Sequence, residues 1–257
     1  MPLLPYIGIT DFTNFEQVQR MLGIMHKQKP KDSRRQLHVG VMMSRKTLNN
    51  IETEWSKVFP PKEVIASIFG SGETYNCLHY ADYKNKVWFS GDLSRAIGYG
   101  GIGINAVQLD MTWPDPGQIA DAIHTSRKQI EVILQIGRGA IEGANNNPAE
   151  IIQRLKDYEG VIHRVLLDKS MGRGICIDAT GLIPFISAIK RQFPDLGITV
   201  AGGLNHETLF MIEPLIKMFP DLSIDAQGRL RPSGNPLDPI DWDIAEKYLS
   251  RALRLLK

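Results

Sequence analysis

The stretch AVQLDMTWPDPGQIADAIHTSRKQIEVILQI, residues 106–136, holds one full repeat of the pattern that decides the fold. Its first run, Ala106 to Met111, has the length and composition of a strand. Asp115 then stands directly before Pro116. That pair starts a helix, because the carboxylate accepts from orphaned amides of the first turn and proline lacks an amide where none is needed. A helical pattern follows and gives way to a second apolar run, Ile130 to Ile136. Strand, helix, strand is the unit of a mainly parallel sheet.

The same alternation extends along the chain in both directions. Further strand-like runs are Tyr6 to Thr10, Gln36 to Met43, Thr74 to Tyr80, Ile162 to Asp168, Ile198 to Ala201 and Leu222 to Ala226, which makes eight in all. The run TYNCLHY at 74–80 is the least apolar of them. Helix starts are expected at Thr13 with Glu16, at Asn147 before Pro148 with Glu150, and at Asn205 with Thr208. Eight βα units in 257 residues match a (β/α)8 TIM barrel, and no proline-rich or charged linker divides the chain. The expectation is one barrel over residues 1–257, with an extended βα segment at about 44–72 anchored by Trp55, Phe59 and Phe69. An open doubly wound sheet would need a glycine fingerprint between a strand and a helix. Gly98, Gly100 and Gly103 fit the letters but run from a helix into a strand, so they read as a connection.

Composition narrows the function classes. With 43% hydrophobic and 23% charged residues, the chain buries a core and is neither disordered nor low-complexity. Thirty Lys and Arg against 28 Asp and Glu leave no broad footprint for nucleic acid or an anionic membrane. No apolar run is long enough to cross a bilayer and no leader is evident, so a cytoplasmic protein is expected. Cys77 and Cys176 cannot form a disulfide framework, and both read as small buried hydrophobes. The basic run from Lys27 to Arg35 reads as a solvated loop on the face opposite the active site.

Barrel active sites form where strands end. Four carboxylates stand there: Asp11, Asp110, Asp168 and Asp225. If they converge, mutual repulsion separates their pKa values and lets one act as acid and another as base. Taken singly, each is better explained as a loop starter or N-cap. After the seventh run, Gly202 and Gly203 let backbone amides approach a phosphate, and Gly228 serves the same end after the eighth. Arg229 and Arg231 follow as cations that are either phosphate contacts or solvated.

The order of short motifs resembles phosphoribosylanthranilate isomerase, a (β/α)8 enzyme. Ile7-Gly8-Ile9-Thr10 is similar to that family's Cys-Gly-Ile-Thr, Val107-Gln108-Leu109 to its Val-Gln-Leu-His, and Leu166-Leu167-Asp168 to its Leu-Leu-Asp. Ala201-Gly202-Gly203-Leu204-Asn205 matches its phosphate motif almost letter for letter. The resemblance implies an Amadori rearrangement of a phosphorylated aminosugar, with no metal and no organic cofactor. It assigns the general acid to Asp168. It would place the base at Ile7, which cannot accept a proton, so Asp11 or Asp110 is expected to substitute unless the barrel only binds ligand. Asp110 stands where the family has His, and Asp225-Ala226-Gln227-Gly228 lacks two hydroxyls of the family's strand 8 motif. Arg45 corresponds loosely to an arginine that recognises a carboxylate. Apart from the resemblance, the loop after the fifth run, Gly137 to Asn147, reads as a lid, as the source of an anion contact through Arg138, or as ordinary turn chemistry.

Other residues carry weaker alternatives. Lys169 follows Asp168 where barrel aldolases hold a Schiff-base lysine, although adjacent strand residues point to opposite sides. The six histidines show no metal-ligand spacing. Only His79 is placed at the mouth, and the others read as core-edge or surface residues. The partner expected is a small phosphorylated metabolite, with monomer and homodimer both open.

Overall fold

The computed structural model describes residues 3–83, 88–168 and 177–256. Lys169 and Cys176 lie outside the described residues. Eight parallel strands close into a barrel in chain order: β1 (Tyr6–Thr10), β2 (Gln36–Ser44), β3 (Thr74–Ala81), β4 (Ala106–Asp110), β5 (Glu131–Gly137), β6 (Arg164–Asp168), β7 (Gly197–Ala201) and β8 (Ser223–Ala226). Helices fall between them: α1 (Phe15–Gln28), α2 (Arg45–Leu48), α3 (Ile65–Ile68), α4 (Ser90–Tyr99), α5 (Pro116–Ser126), α6 (Arg138–Glu142), α7 (Pro148–Leu155), α8 (Ala179–Gln192), α9 (Glu213–Met218) and α10 (Trp242–Leu255). The chain is a (β/α)8 TIM barrel, and each strand lies where its apolar run places it, with ends differing by one or two residues.

Local signals account for the helix starts with two exceptions. Asp115 and Asn147 cap α5 and α7 as their sequence context requires. For α1 the cap is Asn14 rather than Thr13, with the Asn14 side chain accepting from Gln17 N at 3.0 Å and Gln17 Oε1 accepting from Thr13 N at 2.8 Å. The Asn205–Thr208 pair does not open an α-helix. Asn205 Oδ1 accepts from the amides of Glu207 and Thr208, closing a turn that leads to a 3-10 segment, Leu209–Ile212, before α9. The 44–72 segment is not one helix. Pro60 and Pro61 supply no amides, and the chain makes only α2, α3 and two 3-10 turns. Phe69 is buried there, while Trp55 and Phe59 stack on each other at 5.6 Å. Gly101–Gly103 form a 3-10 turn between α4 and β4, a connection and not a nucleotide loop.

Register fixes which residues face inward. Gly8 pairs with His38 and with Asp225, His79 with Gln108, Ala81 with Asp110, Gly137 with Asp168, and Ala201 with both Asp168 and Asp225. Residues opposite one another in a parallel pair share a face. The alternate positions, among them Ile7, Ile9, Val107 and Leu167, join the large apolar layer between sheet and helices. Ile7 therefore points away from the barrel axis.

The bottom of the barrel is plugged by charge and aromatic rings. Arg164 donates to Glu131 Oε2 at 2.6 Å and to the Leu4 carbonyl at 3.0 Å, and its guanidinium lies over the rings of Tyr6 and Tyr75 at 5.4 and 5.1 Å. Arg35 corrects the reading of a solvated basic loop. It is 4% exposed and donates to the carbonyls of Leu256, Leu222 and Pro220 at 3.1, 2.6 and 2.6 Å.

Candidate active site at the barrel mouth

Three carboxylates enter the barrel from its C-terminal end. Asp110 closes β4, Asp168 closes β6 and Asp225 lies in β8, all on the inner face. Burial pushes the Asp110 carboxyl up to about 6. A hydrogen bond from the Tyr83 hydroxyl works against that rise and the charge of Asp168 adds to it. Burial pushes Asp225 further, to about 7, opposed by Thr10 Oγ1, which donates at 3.0–3.1 Å, and reinforced by Asp11 and Asp168. Asp168 influences both neighbours and is itself 7% exposed, so it is the shared member of the group.

Asp11 joins the rim in a different state. Its φ of 88° lies in the left-handed region, where a non-glycine residue is held at a cost of about 1–3 kcal/mol. What holds it is an ion pair with Arg231 and a 3.0 Å hydrogen bond from Gln227 Nε2. Arg231 is buried and not solvated, since it also donates to the carbonyls of Asp238 and Gln227 at 2.6 and 3.1 Å. Asp11 is thus engaged as an anchor of the loop after β8.

Gly202 and Gly203 follow β7 with φ values of 115° and 62°, backbone shapes that side chains disfavour. Thr208 Oγ1 donates to the Gly203 carbonyl at 2.7 Å, so the turn beyond fixes the glycine pair. Gly228 begins a 3-10 turn, Gly228–Leu230, next to Arg231. The two expected anion contacts are engaged elsewhere. Arg45, half exposed on the rim after β2, donates from Nε to Asp92 at 2.8 Å with Asp82 at 3.7 Å, and Arg138 donates to Glu142 at 2.7 Å along α6.

Beneath the carboxylates lies a group that sequence spacing did not bring forward. His79 is not at the mouth but inside the barrel, 3% exposed, and His38 is fully buried beside it, with Nε2 to Nε2 at 3.4 Å. Tyr6 stacks on His38 at 4.6 Å. Cys77 completes the group, with one donor atom from each residue within 4.8 Å of the others. Burial pushes both imidazoles down, His79 to about 3, and the Cys77 thiol up. The i, i+2 spacing of Cys77 and His79 on one strand was the available signal, because it puts both on the same face. The contribution of His38 depends on register between strands and leaves no mark in local sequence.

A separate cleft of about 690 Å³ lies on the outer surface, lined by residues such as His206, Glu213, Lys247 and Arg251, and includes none of the four mouth aspartates. No helix among the described residues is long and apolar enough to cross a membrane.

No protein-family model matches this chain, and no curated protein matches its sequence. Solved structures do match in fold. A phosphonopyruvate hydrolase superposes with a TM-score of 0.53 at 14% identity, covering 86% of this chain and 75% of its own. The same kind of enzyme in complex with oxalate and Mg++ gives 0.51 at 14% identity, covering 87% and 75%. A putative lyase/mutase from Burkholderia cenocepacia J2315 gives 0.51 at 13% identity, covering 89% and 77%. At such identities the likeness shows the TIM-barrel fold.

Proposed function

We propose that the barrel mouth binds a phosphorylated, sugar-like metabolite and rearranges it by acid–base catalysis, in the manner of the isomerase family that its motifs resemble but with an altered substrate. The observation that carries this reading is the convergence of Asp110, Asp168 and Asp225 at the C-terminal strand ends, two of them shifted to about 6 and 7. Carboxyl groups with pKa values near the working pH transfer protons most effectively, which suits Asp110 and Asp225 to proton transfer beside Asp168.

Asp168 takes the acid's part, protonating the ring oxygen as the resemblance implies. Asp110 takes the base's part: it is largely ionised at neutral pH yet more basic than an ordinary carboxylate. Asp11 is set aside as the base because its ion pair with Arg231 occupies the charge it would need. Asp225, on the same inner face, contacts the substrate. Gly202 and Gly203 offer backbone amides to the phosphate, with Gly228 adjoining. Arg45 and Arg138 meet a further substrate anion by exchanging it for Asp92 and Glu142.

The test is an isomerisation assay on phosphoribosylanthranilate and related aminosugar phosphates, with wild type and Asp168→Asn side by side. The variant should lose at least about 10³-fold in turnover while binding ligand within about tenfold. Equal turnover in both proteins removes Asp168 from the mechanism. No turnover in wild type, together with no binding of ribose 5-phosphate by calorimetry, overturns the phosphosugar reading. Binding without turnover in wild type overturns the enzyme and leaves a ligand-binding barrel.

A further inference from the structure

We propose that His38, Cys77 and His79 form a binding site for one divalent transition-metal ion of the zinc type inside the barrel, beneath the mouth carboxylates. The donor set is the first argument. Two imidazole nitrogens and a thiolate suit a borderline-soft ion that takes tetrahedral coordination, and do not suit magnesium or calcium. All three residues are buried and can offer donor atoms within 4.8 Å of one another.

Geometry is the second argument. Two imidazole nitrogens bound at about 2.0–2.1 Å in a tetrahedral shell stand about 3.4 Å apart. The observed Nε2 to Nε2 separation is 3.4 Å, at the outer limit for a hydrogen bond and well beyond the usual N–H···N distance. Sulfur would sit about 3.6 Å from each nitrogen in the same shell, inside the 4.8 Å within which the three donor atoms already lie.

The surroundings supply what a metal site needs. His38 Nδ1 is buried with no hydrogen-bond partner among the described residues and lies 3.9 Å from Asp225 Oδ1. With a metal on Nε2, Nδ1 must carry the proton and would turn it toward that carboxylate, the usual way a ligating imidazole is held. Gln108 Oε1 is also buried and unpartnered, on the strand position beside His79, and would accept from a water in the fourth coordination position. Space is kept open by two glycines. A Cβ would lie 2.9 Å from His38 Nδ1 at Gly8 and 2.9 Å from His79 Nε2 at Gly40. On binding, the Cys77 thiol loses its proton to solvent, and the bond formed is metal to thiolate sulfur.

The probe is Co²⁺, offered at one equivalent to the reduced, chelator-treated full chain during refolding and, separately, to the folded protein. The expected result in wild type and in Cys176→Ser is one bound ion, with the intense visible bands of tetrahedral cobalt and a near-ultraviolet thiolate-to-metal absorption. Cys77→Ser should lose the thiolate absorption, and His79→Gln should weaken binding at least tenfold, each checked for a native circular dichroism spectrum. Zn²⁺ should raise the thermal midpoint of wild type and not of Cys77→Ser. Cobalt spectra that are octahedral, or a thiolate absorption that survives in Cys77→Ser and disappears in Cys176→Ser, would overturn the site. So would failure of wild type to retain an ion under both loading conditions.

Discussion

Asp110 imposes a pH-dependent cost on the folded state. Its carboxyl titrates near 6 in the protein and near about 4 in an unfolded chain, so between those values the folded form holds the extra proton. Stability from this group therefore falls as pH rises from about 4 to about 6, and above 6 the cost of about 2–3 kcal/mol is fully present. Asp110→Asn should raise the thermal midpoint at pH 8 and converge with wild type near pH 4. Melting curves across that range decide the matter, and a variant that parallels wild type at every pH contradicts the assignment. Sequence reasoning found this residue because a barrel fixes where strand ends go. It did not find Tyr83 as its partner, since the contact joins the loop after β3 to the end of β4, 27 residues away.

At the scale of elements, β5 and β6 are joined below the mouth by the Arg164–Glu131 pair and the rings of Tyr6 and Tyr75. A buried pair of this kind is costly to break from one side and nearly neutral to replace whole. Arg164→Met should cost about 3–5 kcal/mol, read as a lower urea midpoint, because it leaves the part-buried Glu131 without its cation, with the Tyr75 hydroxyl still donating to it, and takes the guanidinium's hydrogen bond from the Leu4 carbonyl. Adding Glu131→Leu should restore most of the loss. A double variant no better than the single one would show that Arg164 acts by packing alone. The strands themselves were legible because apolar runs and caps such as Asp115–Pro116 are local. The internal structure of the 44–72 segment was not, since three aromatic anchors do not reveal that Pro60 and Pro61 interrupt it into short turns.

Across the whole molecule, what sequence conceals is what register creates. Three inward carboxylates could be named in advance, whereas the Asp11–Arg231 pair and the neighbouring imidazoles arise only when β8 meets β1 and β2 meets β3. Arg35 is the largest such case. Its basic neighbours suggest a solvated loop, yet its three acceptors lie in the last stretch of chain. Arg35→Met should destabilise the protein by about 2–4 kcal/mol, because it leaves buried carbonyls unsatisfied. Differential calorimetry measures this, and a change below about 0.5 kcal/mol would mean that solvent replaces the guanidinium without penalty.

The separation of Arg35 from its acceptors, 185 to 221 residues along the chain, also sets a schedule for synthesis. The guanidinium leaves the ribosome long before any carbonyl that will receive it, and until then it stays hydrated and keeps the lower end of β2 wet. The early strands must wait as an unsealed sheet edge, and closure is a late event that comes only with the chain around β8 and its pairing with β1.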